Sequence, residues 1–298
     1  MARLKLEGVI SAMVTPFTKD GEYVDFDKVG PYAERMVKMG AKGLFPCGTT
    51  GEGMLLSPEE RKEVAAEVVQ AAGKKAKVVV HTGCLDTATT VELTRHAQQI
   101  GADAAAIVAP GYYYYDDASL IKFYTTIAKA VDGFPILVYN IPSCARNALS
   151  VDLVIQLAET VENIVGIKDS GGNMGLLTQM LARAPRDFNV VNGVDEYGYQ
   201  AILAGCPAAV SGLSNVVCDI YAAVFANIAK GDLKKAWREQ VRLERAARIF
   251  EYGRKAAVFK EGSRLRGFDS GYVRPPMREL TAAEKKKLAA DMKELGVL

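Results

Sequence analysis

The sequence is poor in the residues that build disulfide frameworks and metal sites. Only five cysteines and two histidines occur in 298 residues, and no two cysteines form a CxxC pair. An odd, scattered set of cysteines argues against a disulfide scaffold and against a structural zinc site. We therefore expect no metal. We also expect a cytoplasmic protein, since residues 1–11 lack the apolar stretch of a secretory signal.

Charge of one sign and long apolar runs are also scarce. The formal net charge is +2, and no uninterrupted apolar run approaches the ~20 residues of a membrane span. We expect neither a nucleic acid nor a membrane as partner. Hydrophobic residues make up 49% of the chain, which is enough for a large core.

Short β-branched runs alternate with amphipathic segments of helical length, and most of the runs are apolar throughout. This pattern is typical of parallel strands that are buried on both faces. The predicted strands are Val9–Phe17, Gly43–Cys47, Lys77–Thr82, Ala104–Ala109, Pro135–Tyr139, Ile164–Lys168, Phe188–Asn192 and Ala208–Gly212. Eight such units predict a (β/α)8 TIM barrel in residues 1–230, with a C-terminal helical appendage in residues 231–298 that packs on it.

Lys168 is the most informative residue at the predicted strand ends, where the active sites of such barrels lie. It follows the apolar run Ile164–Ile167, so its amine should project into the barrel mouth. Because burial of an ammonium is costly, the neutral amine is favoured, and that amine can attack a carbonyl carbon. The alternative is a structural lysine paired with Asp169 or Glu196.

Two further features lie at neighbouring strand ends. Tyr139 ends the fifth predicted strand, and its phenol can relay protons beside an imine-forming lysine. The loop Gly48–Gly51 offers two threonine hydroxyls and backbone amides, which suit a small carboxylate or phosphate. Each feature alone is weak, because strand tyrosines are usually core and glycine-rich loops are common.

Three motifs in order, Gly48–Glu52, Tyr139–Pro142 and Gly166–Lys168, resemble the dihydrodipicolinate synthase/N-acetylneuraminate lyase family of pyruvate-dependent class I aldolases. The resemblance covers nearly the whole chain. It implies that Lys168 forms a Schiff base with a 2-oxo acid and that no added cofactor is needed.

The resemblance also implies further roles. Thr49 and Thr50, in the loop that begins at Gly48, would hold the pyruvate carboxylate, and Gly193 would make a backbone contact near the substrate. Tyr139 would shuttle protons through Thr49 to a tyrosine that crosses the interface of a homodimer or homotetramer. Tyr113 is our prediction for that tyrosine, with the run Tyr112–Tyr115 leaving its register open.

The residues that distinguish the synthase branch of the family from the lyase branch point in different directions. The synthase branch typically has an arginine where this sequence has Cys144, and Arg146 is the nearest arginine, so whether Arg146 takes that role stays open. Asp195 and Glu196 resemble the acidic pair with which the lyase branch binds sugar hydroxyls; the alternative is an acidic helix N-terminus.

Two positions depart from the pattern of N-acetylneuraminate lyase. Gly212 stands where the lyase has a sugar-contacting serine, and Ser170 lies in a segment closer to aldolases of simpler 2-oxo-3-deoxy acids. We expect both to contact the substrate.

The leading hypothesis is an aldolase or lyase that reversibly cleaves a 2-oxo-3-deoxy (sugar) acid into pyruvate and an aldehyde. The first alternative is dihydrodipicolinate synthase, which condenses pyruvate with aspartate semialdehyde. A more remote alternative is a non-catalytic regulator that binds a 2-oxo acid.

Overall fold

A computed structural model describes residues 4–251 and 255–298. Within these residues, eight parallel strands pair in chain order and close into a barrel. They are β1 (Gly8–Ala12), β2 (Gly43–Phe45), β3 (Lys77–His81), β4 (Ala104–Val108), β5 (Ile136–Asn140), β6 (Ile164–Asp169), β7 (Asn189–Asn192) and β8 (Ala208–Ser211). The predicted (β/α)8 barrel is confirmed.

The ends of the first two strands differ from the prediction. β1 ends at Ala12 rather than at Phe17. Met13 N still donates to Phe45 O of β2, but Val14 N donates to the Asn215 side chain at Oδ1, so the ladder stops there. Pro16 has no N–H to continue the ladder. β2 likewise ends at Phe45, before a proline.

Helices follow the strands and cover the outside of the barrel. In the described residues they are α1 (Phe26–Lys38), α2 (Pro58–Ala72), α3 (Thr87–Gln99), α4 (Asp117–Ala130), α5 (Pro142–Ala145), α6 (Val151–Thr160), α7 (Met174–Arg183), α8 (Gly198–Ala204), α9 (Ser214–Ala229), α10 (Leu233–Phe250), α11 (Lys255–Leu265) and α12 (Ala282–Glu294). No helix among the described residues is both long and apolar enough to cross a membrane.

Local sequence signals account for several helix ends. Ser57 and Glu60 form the reciprocal capping box that the sequence predicts at the start of α2. Gly101, Gly133 and Gly205 follow helix ends and adopt positive φ angles, as expected for residues that end helices in the left-handed conformation.

The C-terminal helices pack onto the barrel through α9. The helix α10 packs along α9, and α11 contacts both α9 and α12. Arg266, just after α11, forms an ion pair with Asp219 of α9 at 2.9 Å. The division into two domains at residue 230 stays a prediction.

Candidate active site

A cavity of about 430 Å³ opens at the carboxyl ends of the strands. It brings together most of the side chains that the sequence predicts for the site. Those lining it are Thr49, Thr50, Tyr139, Lys168, Ser170, Gly193, Asp195, Glu196 and Gly212. Their common location follows from the parallel barrel, which gathers the carboxyl ends of all its strands at one rim.

Lys168 lies at the base of this cavity on β6, and only 5% of the residue is exposed. Its Nζ is 4.2 Å from the centre of the Phe45 ring and 4.0 Å from the centre of the Tyr139 ring. Tyr139 is its direct neighbour on β5. The amine therefore sits between two aromatic rings, with the cavity in front of it.

The alternative of a structural ion pair is not observed. Among the described residues, Lys168 forms no ion pair with a carboxylate. The Asp169 carboxylate instead accepts hydrogen bonds from Asn140 Nδ2 at 2.6 Å and Gly171 N at 3.2 Å. Burial raises the pKa of Asp169, and these two hydrogen bonds oppose the shift.

The loop Gly48–Gly51, called the threonine loop below, is held by a backbone hydrogen bond and by a side chain from outside the loop. Glu52 N donates to Thr49 O at 3.2 Å, and Thr15 Oγ1 donates to Gly51 O at 2.6 Å. Thr49 is exposed and Thr50 is half-buried, so their hydroxyls are available at the cavity wall. A loop that is fixed in this way presents preorganised donors to a bound anion.

Gly48 is buried and is not among the residues that line the cavity. A Cβ at this position would lie 2.6 Å from the Phe45 ring. The close approach to Phe45 is a structural reason for glycine here, and the substrate contact of Gly48 stays a prediction.

His81 lies beneath Tyr139, with the two ring centres 5.8 Å apart in an edge-on arrangement. Its Nδ1 is 3.0 Å from the Cys47 carbonyl and 3.2 Å from Arg61 Nη2. Burial, together with the positive charges of Arg61 and Lys168, holds the pKa of His81 well below its usual range. A neutral His81 therefore packs edge-on against the Tyr139 ring.

Arg61 is a residue that sequence reasoning missed. It is buried on α2 and donates to the carbonyls of His81 at 2.8 Å and Gly83 at 3.1 Å, so it ties the start of the β3 loop to the helix. Its sequence context, among the charged residues Glu59–Lys62, gives no sign of burial.

Tyr113 does not line the cavity and is 65% exposed. Its neighbours Tyr112 and Tyr114 are also exposed. Tyr112 lines a second, adjacent cavity of about 350 Å³, which shares Thr49 and Cys144 with the first. The predicted contact of Tyr113 with the site is thus not made within one chain.

The synthase-type arginine has no counterpart among the described residues that line the first cavity. Cys144, which stands where the synthase branch typically has an arginine, lines it. Arg146 is exposed, and its guanidinium carbon lies over the Tyr114 ring, 4.7 Å from the ring centre. Arg146 therefore does not restore a carboxylate clamp in this conformation.

The C-terminal helices provide one wall of the cavity, which the sequence did not indicate. The lining residues from α10, its C-terminal end and α11 are Ala247, Phe250, Glu251 and Phe259. An apolar helix face predicts burial, but the periodicity cannot say which surface covers it.

A lysine amine at the end of the sixth strand of a (β/α)8 barrel, beside a tyrosine and a threonine loop, defines an aldolase-type enzyme site. The model of the Dihydrodipicolinate synthetase family matches residues 5–295, and the chain belongs to this family. Its members are lyases and synthases of the pyruvate-dependent class I aldolase type, so the predicted family and enzyme class are confirmed.

Individual relatives cover almost the whole chain. An uncharacterized DapA-like lyase of Halobacterium salinarum is 34% identical over 295 residues, which are 99% of this chain and 96% of that protein. A 4-hydroxy-tetrahydrodipicolinate synthase of Methanosarcina acetivorans is 33% identical over 98% of this chain and 99% of its own length.

Solved structures agree with the fold. Dihydrodipicolinate synthase from Aquifex aeolicus superposes with a TM-score of 0.92 at 30% identity, covering 98% of this chain and 99% of that one. YagE, a prophage protein of the dihydrodipicolinic acid synthase family from E. coli K12 solved in complex with pyruvate, gives 0.94 at 28% identity and the same coverage.

Proposed function

We propose that this protein reversibly cleaves a 2-oxo-3-deoxy (sugar) acid into pyruvate and an aldehyde through an imine on Lys168. The observation that carries the proposal is the position of the Lys168 amine. It lies at the base of the cavity between the rings of Phe45 and Tyr139, without a carboxylate partner among the described residues.

The chemistry follows from that amine. The Lys168 nitrogen attacks the ketone carbon of the oxo acid. Tyr139 then donates its phenolic proton to the departing hydroxide, so that water leaves, a protonated imine forms and Tyr139 is left as a phenolate. The hydroxyl on the fourth carbon then gives up its proton to Tyr139, the bond between the third and fourth carbons breaks, and the aldehyde departs. The electron pair of that bond passes into the imine and gives an enamine. Protonation of the enamine at the third carbon, followed by addition of water, releases pyruvate and the free lysine.

We assign binding of the carboxylate that pyruvate and the 2-oxo acid share to the threonine loop. Thr49 and Thr50 line the cavity beside Lys168 and carry hydroxyl donors. We assign to Gly193 a backbone contact with the same half of the substrate, because it lines the cavity on the neighbouring strand end.

Other polar side chains of the cavity favour a hydroxylated substrate. Glu196 and Ser170 line it beside Asp195, and their oxygens can accept hydrogen bonds from substrate hydroxyls. The Glu196 carboxylate would repel a second substrate carboxylate, and Cys144 lines the cavity where the synthase branch has its arginine.

The synthase remains the second candidate, because several relatives at 31–34% identity carry that name. Condensation of pyruvate with aspartate semialdehyde would need a cation for the semialdehyde carboxylate. Arg146 would have to leave the Tyr114 ring to supply it.

We also propose a homodimer or homotetramer in the cytoplasm that needs no added cofactor. Support for assembly comes from the exposed side chains Met54, Leu85, Tyr112 and Met277, which line the second cavity. An interface there would let Tyr113 of one protomer approach Thr49 of its partner. All five cysteines are free thiols, which suits a reducing compartment.

A substrate panel tests the proposal. The purified protein is mixed with 2-oxo-3-deoxy acids of different chain length, and released pyruvate is measured by coupled reduction; aspartate semialdehyde with pyruvate is assayed in parallel. We expect pyruvate release from at least one oxo acid, abolished in Lys168→Ala. Turnover of aspartate semialdehyde alone would select the synthase, and no turnover of any substrate would favour the non-catalytic regulator.

A further inference from the structure

Glu52, at the end of the threonine loop, is held by the C-terminal region at both of its carboxylate oxygens. Lys260 Nζ donates to Oε1 at 2.6 Å, and Arg274 N donates to Oε2 at 2.9 Å. Glu52 is only 2% exposed. A carboxylate with both oxygens fixed in this way is unable to move without the segments that bind it.

Lys260 belongs to α11 and is fully buried. It also donates to the Tyr272 carbonyl, and its Nζ lies over the Phe17 ring, 4.7 Å from the ring centre. Burial lowers the pKa of Lys260 to about 8, and the nearby positive charge of Arg264 adds to the shift, while Glu52 and Glu279 oppose it. The Lys260 amine and the Glu52 carboxylate thus form a pair whose side chains are both fully buried.

The carboxylate of Glu52 is connected to the residues that face the substrate. Glu52 adopts a left-handed backbone with φ of 57°, and its N–H bonds the Thr49 carbonyl at 3.2 Å. One backbone turn therefore links the Glu52 carboxylate, which Lys260 and Arg274 hold, to the position of Thr49.

The helix α11 meets the loop at a second point. Phe259, directly before Lys260, lines the cavity. A Cβ at Gly212 would lie 3.2 Å from the Phe259 ring and 3.4 Å from Thr50 Oγ1, so the three residues converge. One turn of α11 thus contributes to the cavity wall and to the anchor of the loop.

Stability alone is a weak reason for such a pair. Replacing a buried ion pair by apolar groups of similar size is often neutral or stabilising, because both charges must be desolvated. A buried pair can instead fix one geometry among several.

We propose that Lys260, acting through Glu52, is a positioning residue that holds Thr49 and Thr50 in the geometry that binds the carboxylate of the oxo acid. The inference rests on the proposed function, in which these threonines bind that carboxylate. It makes the C-terminal helices part of substrate binding, although Lys260 itself does not reach the cavity.

The test measures the pyruvate concentration that gives half-maximal borohydride-trapped adduct, at pH 7. The variants are Lys260→Met and the double variant Glu52→Gln/Lys260→Met. The double variant is included because it does not leave the Glu52 carboxylate buried without its lysine partner. We expect both to raise this concentration about tenfold, as the weakening of one or two hydrogen bonds predicts. The trapping rate at saturating pyruvate should stay within about threefold of the wild type.

Asp219→Asn is the matched control, because it removes the Arg266–Asp219 pair between the same helical region and α9. It should lower the melting temperature and leave half-saturation unchanged. If the double variant behaves in the same way, or if neither Lys260 variant folds, the pair is only a stability element and the inference is overturned. Absence of any adduct in the wild type would instead overturn the proposed function.

Discussion

Lys168 and Tyr139 are direct partners in the register of β6 and β5, and the Lys168 Nζ lies 4.0 Å from the centre of the Tyr139 ring. Phe45 covers the amine from another side, at 4.2 Å. His81 packs edge-on against the Tyr139 ring and at a tilt of 37° against the Phe45 ring. The amine and the phenol are therefore held together by the barrel itself rather than by a flexible loop.

Tyr139→Phe should lower kcat of oxo-acid cleavage by about 10²–10³-fold, because it removes the proton relay while keeping the ring. The final extent of imine formation, measured by borohydride trapping at long times, should be much less affected, because a proton relay changes rates and not equilibria. Tyr124→Phe is the control, since Tyr124 is buried in α4 and donates to the Ile107 carbonyl. Equal kcat in Tyr139→Phe and the wild type would contradict the assigned role.

Arg146→Ala should change cleavage of the oxo acid by less than about threefold. Its guanidinium lies over Tyr114 and not in the cavity, so only an exposed cation–π contact is lost. The measurement is steady-state kinetics on the best substrate of the panel. A selective loss of activity with aspartate semialdehyde would show that Arg146 serves a synthase.

Glu196→Gln should raise KM for a hydroxylated oxo acid about fivefold with little change in kcat. The amide keeps an acceptor oxygen but loses the charge, and hydrogen bonds to a charged acceptor are about twice as strong as neutral ones. Half-saturation by pyruvate, which has no such hydroxyls, should not change. Glu59→Gln, on the exposed start of α2, is the control. A shift in the pyruvate value would place Glu196 at the carboxylate end instead.

His81 should make the protein less stable in mild acid. Its folded pKa lies well below the ordinary value of 6.5, so the unfolded chain takes up the proton first as the pH falls. The contribution of neutral His81 to the free energy of unfolding is complete above pH 6.5. It is lost as the pH falls from there toward the folded pKa, by at most about 1.4 kcal/mol per pH unit. Denaturant unfolding at several pH values measures it.

His81→Gln has no titrating ring and should show a shallower loss of stability below pH 6.5, whatever its stability at neutral pH. An unchanged slope would mean that carboxylates, rather than His81, dominate this pH range.

The order of strands and the gathering of site residues were predictable from the sequence. Eight apolar runs at regular spacing require a closed parallel sheet, and the strand-end rule then places Lys168, Tyr139 and Thr49 at one rim. The end of β1 was not predictable in this way. It depends on the Asn215 side chain, which is 201 residues from Val14 in the chain.

Long-range packing also explains the other differences. Gly48 belongs to a loop that resembles an anion cradle, yet its neighbour in space is the Phe45 ring. Arg61 lies in a charged segment but is buried under the loops of β2 and β3. Phe259 completes the cavity only because α11 folds back over the barrel rim. None of these contacts leaves a periodic or compositional signal.

The central claim is that the Lys168 amine forms the imine, and reductive trapping tests it most directly. The wild-type protein is incubated with pyruvate and borohydride and then analysed by intact mass and peptide mapping, with Lys168→Arg as the control. The account predicts a single reduced pyruvyl adduct on the peptide that contains Lys168, and none in the variant. A folded wild-type protein without an adduct, or with the adduct on another lysine, would contradict it.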